Sequence, residues 1–533
     1  MIQIGNNFQK KERIFGSFIF CFLLITILTI FSFSNPLYAV EDNSNSNTLK
    51  EEPTPSAPPQ GIEIPQEPSI THHSITLDGK ELKYTATVGF IPILDDKTGE
   101  SRASIFFTAY TQEGDENPSQ RPVTFAFNGG PGSASLWVHL GAFGPKKVIL
   151  NNDGTKLPAP PYLLNDNEYT ILDLTDLVFI DPVGTGFSRV EGKSEGKEFW
   201  GVQEDLNVIG EFIRLYLTRN RRWASPLYIA GESYGTIRAA GLSTTLQNLG
   251  IFPSGIILIS PILDYALDSE NFGNDQVFIL NLPTYAASAW YHKKNAPRLQ
   301  GDLEQALKEV REWSQKDFLM ALWKGNTISE KERTDIINRM VEYTGLSPEF
   351  IDRHNLRIGI EEFAGEILKD QKSLVSIYDT RVSGPGEYDI NNDPILAVLT
   401  SGPFISAFND YLLSELQFVT DRKYIPSSEE AFTTWNWLNK DQGGMGYPNT
   451  ANSLCNAIRR TGFLQVFVAS GLYDLVTPYD NTVYLVNHFD LPPDRLKNII
   501  FSTYDGGHMM YINSEAHRKL KEDLRNFYDA PKP

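Results

Sequence analysis

Two segments match Gly-x-Ser-x-Gly, the spacing in which a serine alcohol can serve as a nucleophile: Gly231-Glu232-Ser233-Tyr234-Gly235 and Gly192-Lys193-Ser194-Glu195-Gly196. That chemistry needs a sharp strand-to-helix turn, with glycines where side chains would clash, so that the serine oxygen stands clear at the end of a sheet. The apolar run 227–230 leads straight into the first segment and a helical pattern leaves it, whereas the second is flanked by Arg189, Glu191 and Lys197 with no strand immediately ahead. Ser233 is therefore the expected nucleophile. The stretch from Gly186 to Gly192-Lys193-Ser194 resembles a phosphate loop but carries five residues between its glycines where four are needed.

A serine alcohol needs a base, and the base needs an orienting acid. Among the eight histidines, at 72, 73, 139, 292, 354, 488, 508 and 517, His508 stands out because Gly506-Gly507 precedes it and a strand-like run, 499–502, lies shortly before. The acid should follow a strand and fall between serine and histidine in chain order. Asp474, soon after the run 464–469, meets both conditions; Asp480 is its competitor, six residues further on. Asn128-Gly129-Gly130-Pro131-Gly132, following the run 123–127, can bring backbone N–H groups close to a developing oxyanion. The pair His72-His73 has no Cys, Asp or Glu at a ligand spacing, so neither a metal nor another cofactor is expected.

These groups need a scaffold that delivers them to one place. Short, continuously apolar runs at 123–127, 177–180, 227–230, 256–260, 464–469 and 499–502 read as strands covered on both faces, and helical patterns such as 204–217 and 236–249 lie between several of them. The expectation is an α/β fold with a mostly parallel central sheet and helices on both faces. Alternation between 74 and 111, with a turn at Asp78-Gly79, adds antiparallel hairpins at the N-terminal edge. From about 271 to 387 helix formers dominate, with amphipathic stretches at 302–322 and 330–343 and a helix start at Ser347-Pro348-Glu349, which reads as a helical insertion.

The 533 residues carry 47 Lys+Arg against 66 Asp+Glu, a formal charge of −19, and two cysteines. An acidic chain of this kind is no nucleic-acid binder, and it cannot be a disulfide-stapled scaffold. Lys10, Lys11 and Arg13 precede an apolar stretch from 14 to about 33, and Leu37-Tyr38-Ala39 offers a small residue for cleavage. Residues 1–40 therefore read as a secretory signal peptide, with an uncleaved membrane anchor as the alternative. Cys21 would leave with the signal, and Cys455 would remain as a lone, buried thiol. Residues 41–70, rich in Pro, Ser, Asn and Glu toward their start, read as a flexible spacer ahead of one catalytic domain at 71–530. The expected location is periplasmic or extracellular, with no stable membrane association once the signal is removed.

Taken together, Asn128 to Gly132, Phe179-Ile180-Asp181-Pro182-Val183-Gly184-Thr185-Gly186-Phe187-Ser188, Gly231 to Gly235, Gly471 to Asp474 and Gly507-His508-Met509 resemble the serine carboxypeptidases, a branch of the α/β-hydrolases, in the family's order. The resemblance implies a Ser233, Asp474, His508 triad, an oxyanion hole from the N–H groups of Gly130 and Tyr234, and substrate-carboxylate binding by Asn128 and Glu232, with Met509 a further substrate contact. It also implies that the partners are peptide or protein C-termini. Three positions depart from the family: Ala126 stands for its tryptophan, Ala142 for its second carboxylate-binding glutamate and Ser133 for its cysteine. The first two leave the carboxylate clamp incomplete, so an esterase or acyltransferase on the same scaffold is the alternative to a carboxypeptidase. A catalytically inactive binding protein is the third reading.

Overall fold

The computed structural model describes residues 67–530, apart from 115–116, 151–153, 388, 390–392, 397–401 and 439–445. The segment read as a signal peptide, and the spacer up to residue 66, lie outside the described residues. Three long strands come first: β1 (Ser69–Leu77), β2 (Lys80–Leu94) and β3 (Ser101–Gln112), paired antiparallel. The β1–β2 hairpin turns at Asp78 and Gly79, both at positive φ (50° and 78°), a region that glycine enters freely and aspartate tolerates in turns.

The central strands are β4 (Val123–Phe127), β5 (Asp176–Ile180), β6 (Leu227–Glu232), β7 (Gly255–Ile259), β8 (Gln465–Gly471) and β9 (Ile499–Tyr504). Their order across the sheet is β1-β2-β3-β5-β4-β6-β7-β8-β9, with every pairing from β5 to β9 parallel. All residues of β4 to β7 are buried, which explains why they read as unbroken apolar runs. Successive side chains still serve opposite faces: Ile257 and Ile259 join one core, Ile256 and Leu258 the other.

Helices α1 (Val202–Arg219) and α2 (Tyr234–Asn248) cover one face together with Ala451–Arg460, supplying Leu206, Ile209, Ile237 and Ile458 to its core. The C-terminal helix Ser514–Asp529 packs on the other face through Leu520, Leu524 and Phe527. The chain between β7 and β8 is a long excursion. It includes helices Gln276–Tyr291, Leu303–Trp313, Glu330–Thr344, Pro348–Arg353 and Ile360–Glu366, whose buried residues extend that second core. The amphipathic stretch at 302–322 is interrupted by a wider π turn at Ser314–Phe318. Among the described residues no helix is long and apolar enough to cross a membrane.

Candidate active site

Ser233 occupies the single residue between β6 and α2, with φ 57° and ψ −131°. A non-glycine residue is strained there, and two anchors hold it: its N–H donates to Ile259 O at 3.0 Å and its carbonyl accepts from Thr236 N at 2.8 Å. The flanking glycines are sterically required. A Cβ at Gly231 would lie 2.0 Å from Gly235 O, and one at Gly235 would lie 3.0 Å from the carbonyls of Phe127 and Asn128. Ser194, by contrast, lies in a turn beside Glu198, to which its hydroxyl donates at 3.3 Å.

The loops after β8 and β9 bring Asp474 and His508 together at the carboxyl end of the parallel strands. His508 Nδ1 lies 2.8 Å from Asp474 Oδ2, with Asp474 fully buried and His508 5% exposed. Asp474 is fixed further by the N–H groups of Val476 and Thr477, at 2.8 and 3.0 Å, and by the Thr477 hydroxyl at 2.7 Å. The competing acid, Asp480, instead receives Arg311 Nε at 2.7 Å from a helix of the excursion. Burial alone would drive His508 toward its neutral form, but the Asp474 carboxylate outweighs it and holds the ring's pKa above its ordinary value.

Glu232, the residue before Ser233, is 3% exposed, and both its oxygens are engaged. Asn128 Nδ2 donates to Oε1 at 3.1 Å, and the Tyr511 hydroxyl donates to Oε2 at 2.5 Å. Burial pushes the Glu232 carboxyl up to about 7, against the opposing pull of His508, Tyr511 and Asn128. Asn128 is oriented in turn, because its Oδ1 accepts the N–H groups of Trp137 and Val138 at 3.1 and 3.0 Å. The glycine turn rides directly on the serine elbow: a Cβ at Gly129 would sit 2.4 Å from Tyr234 N, and Gly130 has φ +100°. The glycine turn thus passes directly against the backbone of Glu232, Tyr234 and Gly235. Met509 is 6% exposed and belongs to the apolar core that also takes in Leu520, Leu524 and Phe527.

Several groups around this site carry no motif in the sequence. Arg238, fully buried on α2, donates from Nε to Asp205 on α1 at 2.7 Å and from Nη1 to the Asn128 carbonyl at 2.8 Å, tying helix, helix and glycine turn together. A strap from the excursion, 376–381, closes over the loops that carry Asp474 and His508. Tyr378 O accepts His508 N at 2.6 Å, Asp379 Oδ2 accepts Gly507 N at 3.1 Å, and Arg381 pairs with Asp379 at 2.7 Å while donating to Asp505 O at 2.8 Å. Gly507 is what lets it close, since a Cβ there would meet Tyr378 O at 2.1 Å. Only the spacing of Tyr511, three residues beyond His508, and of Arg238, one helical turn into α2, could have hinted at these roles.

A mostly parallel sheet with a serine at a strand-to-helix elbow, backed by a histidine–aspartate pair on the last two strand ends, defines an α/β-hydrolase. Within that class, residues 79–249 match the family profile described as serine carboxypeptidase. Serine carboxypeptidase-like 2 of Arabidopsis thaliana is 28% identical over 199 residues, 36% of this chain and 42% of the relative. The pheromone-processing carboxypeptidase KEX1 of Saccharomyces cerevisiae is 39% identical over 113 residues, 20% of this chain and 14% of the relative. The matches thus span less than half of either relative's length. The crystal structure of a prohormone-processing carboxypeptidase from Saccharomyces cerevisiae superposes over 83% of this chain and 91% of its own, with a TM-score of 0.52 at 15% identity, a likeness of fold.

Proposed function

We propose that the protein is a serine carboxypeptidase that removes C-terminal residues from peptides or proteins through an acyl-enzyme on Ser233. The observation that carries the reading is a buried, protonatable carboxyl, Glu232, one residue from the elbow serine and linked to the glycine turn through Asn128. An ionised Glu232 would repel a substrate carboxylate, whereas a protonated one donates a hydrogen bond to it. In the reaction, His508 takes the Ser233 proton as Oγ attacks the scissile carbonyl. The N–H groups of Gly130 and Tyr234 stabilise the oxyanion, and His508 returns the proton to the leaving amine. Asp474 holds the ring tautomer throughout, and water then releases the acyl group by the same route.

Three measurements test this. Mass spectrometry of a peptide library after incubation with the purified protein should show residue-by-residue loss from C-termini. A fluorophosphonate probe should label the protein and fail to label Ser233→Ala. The ratio of kcat/KM for free-acid over amidated peptides between pH 4 and 8 should exceed one at acidic pH and fall as pH rises through about 7, where Glu232 ionises. Equal rates throughout would remove the carboxypeptidase reading. Because both substrates use His508, its own titration cancels in that ratio.

The esterase or acyltransferase reading is favoured by one observation, Ala126 and Ala142 at the two clamp positions, and would show as ester turnover or acyl transfer without C-terminal trimming. The domain plan that goes with the leading proposal is an export signal at 1–40, a spacer at 41–70 and a catalytic domain at 71–530 bearing the helical excursion. It places the enzyme outside the cytoplasm.

A further inference from the structure

The second oxygen of Glu232 meets a phenol rather than another acid. The ring of Tyr511 reaches it by lying on Gly141, where a Cβ would come within 2.6 Å of ring Cε2. Next to Gly141, Ala142 is fully buried, and its carbonyl accepts His517 Nε2 at 2.8 Å, which locks that backbone in place. Two carboxyls facing each other would share one proton and titrate as a pair. A buried phenol behaves differently: burial and the adjacent Glu232 hold the Tyr511 hydroxyl far above its ordinary range, so it stays a donor at every working pH.

We propose that Tyr511 is a positioning residue whose hydroxyl, as a permanent donor to Glu232, sets the upper pH limit at which this site accepts peptides with a free C-terminal carboxylate. The proposal rests on the carboxypeptidase reading and specifies how its clamp works with an alanine at 142. A donor hydrogen-bonded to a carboxylate favours the ionised form. Tyr511 therefore works against the burial of Glu232 and brings ionisation to lower pH than burial alone would. The other groups acting on Glu232 are Asn128 from the glycine turn, His508 from the loop after β9, and Asp474 from the loop after β8. His508 and Asp474 act on free-acid and amidated substrates alike. Tyr511 itself faces His517, with ring centroids 6.5 Å apart, and burial keeps that imidazole neutral.

The test uses the full chain and Tyr511→Phe, which keeps the ring on Gly141 and removes only the donor. The kcat/KM ratio of free-acid to amidated peptide is followed from pH 5 to 9. Loss of the donor should move the midpoint of its fall upward by about one pH unit, seen as a roughly tenfold higher ratio above the wild-type midpoint. A merely structural defect would lower both substrates together and leave the midpoint in place, and that result overturns the proposal. Infrared titration of the carboxyl band that vanishes in Glu232→Gln reports the same midpoint without turnover. It should shift upward in Tyr511→Phe, and an unmoved band overturns the assignment. A flat wild-type ratio would instead remove the carboxypeptidase reading beneath it, which the infrared measurement distinguishes.

Discussion

Asp474 spends both carboxylate oxygens on orientation: Oδ1 accepts two backbone N–H groups, and Oδ2 accepts the Thr477 hydroxyl and faces His508 Nδ1. An amide in its place would keep the volume but present an N–H toward a ring nitrogen that should be donating, which favours the wrong tautomer. Asp474→Asn should therefore lower kcat on the order of 10³–10⁴-fold with little change in KM and an unchanged unfolding transition, measured by steady-state kinetics beside thermal melts. Asp474, His508 and Ser233 could be named from chain order because each sits at or just beyond the end of an apolar strand run. Thr477 and Tyr511 could not, because hydroxyls three residues from a functional group are common and only folding shows where they point.

The elements that matter most are the turn between β6 and α2 and the strap 376–381. Periodicity and glycine spacing revealed the turn, since a Gly-x-Ser-x-Gly joining an apolar run to a helical pattern has few other uses. The strap escaped because it lies about ninety residues before Asp474 and its short sequence, Ser376-Ile377-Tyr378-Asp379-Thr380-Arg381, has no period. Its hold is electrostatic and buried, with the Arg381 and Asp379 side chains 6% and 3% exposed. Removing one partner leaves the other charge uncompensated, so Arg381→Ala should cost about 3–5 kcal/mol in denaturant unfolding. The same variant should reduce kcat more than KM, because the carbonyl of Tyr378 and the carboxylate of Asp379 no longer position the His508 loop. Unchanged stability and turnover would show that the strap is ornamental.

At the scale of the whole molecule, burial of acids shapes the response to pH. Burial pushes Asp181, Glu232 and Glu270 up to about 7 and Asp268 up to about 8. Unfolded carboxyls titrate near 4, so across the interval between, the folded protein holds more protons than the unfolded chain, and its stability falls as pH rises. His139 and His517, held neutral by burial down to about 3 and 4, act in the opposite sense, adding stability as pH rises, but only below about 6.5. The melting temperature should therefore drop between pH 6.5 and 8.5, and Asp268→Asn should flatten that drop, as differential scanning calorimetry across buffers would read. A melting temperature that rises over this interval would contradict the buried-acid account. Cys455 is a free, buried thiol, and stability rests on the two cores flanking the sheet.

The sequence by itself determined the scaffold and the place of its sharp turns, because strand burial and glycine-forced turns leave marks in local composition. Asp176–Ile180 and Leu227–Glu232 are apolar because both their faces are covered, and Gly231, Gly235 and Gly507 are glycines because backbone passes where a Cβ would stand. Only the tertiary structure decided what surrounds Glu232. The Tyr511 hydroxyl, the Asn128 amide and the closing of the strap over His508 join residues 104 to 279 positions apart in the chain, or loops from separate layers. Such contacts depend on packing geometry, for which local sequence has no period and no fixed spacing. The serine's place at the strand-to-helix turn was therefore legible in one dimension, while the surroundings of the acid beside it were set in three.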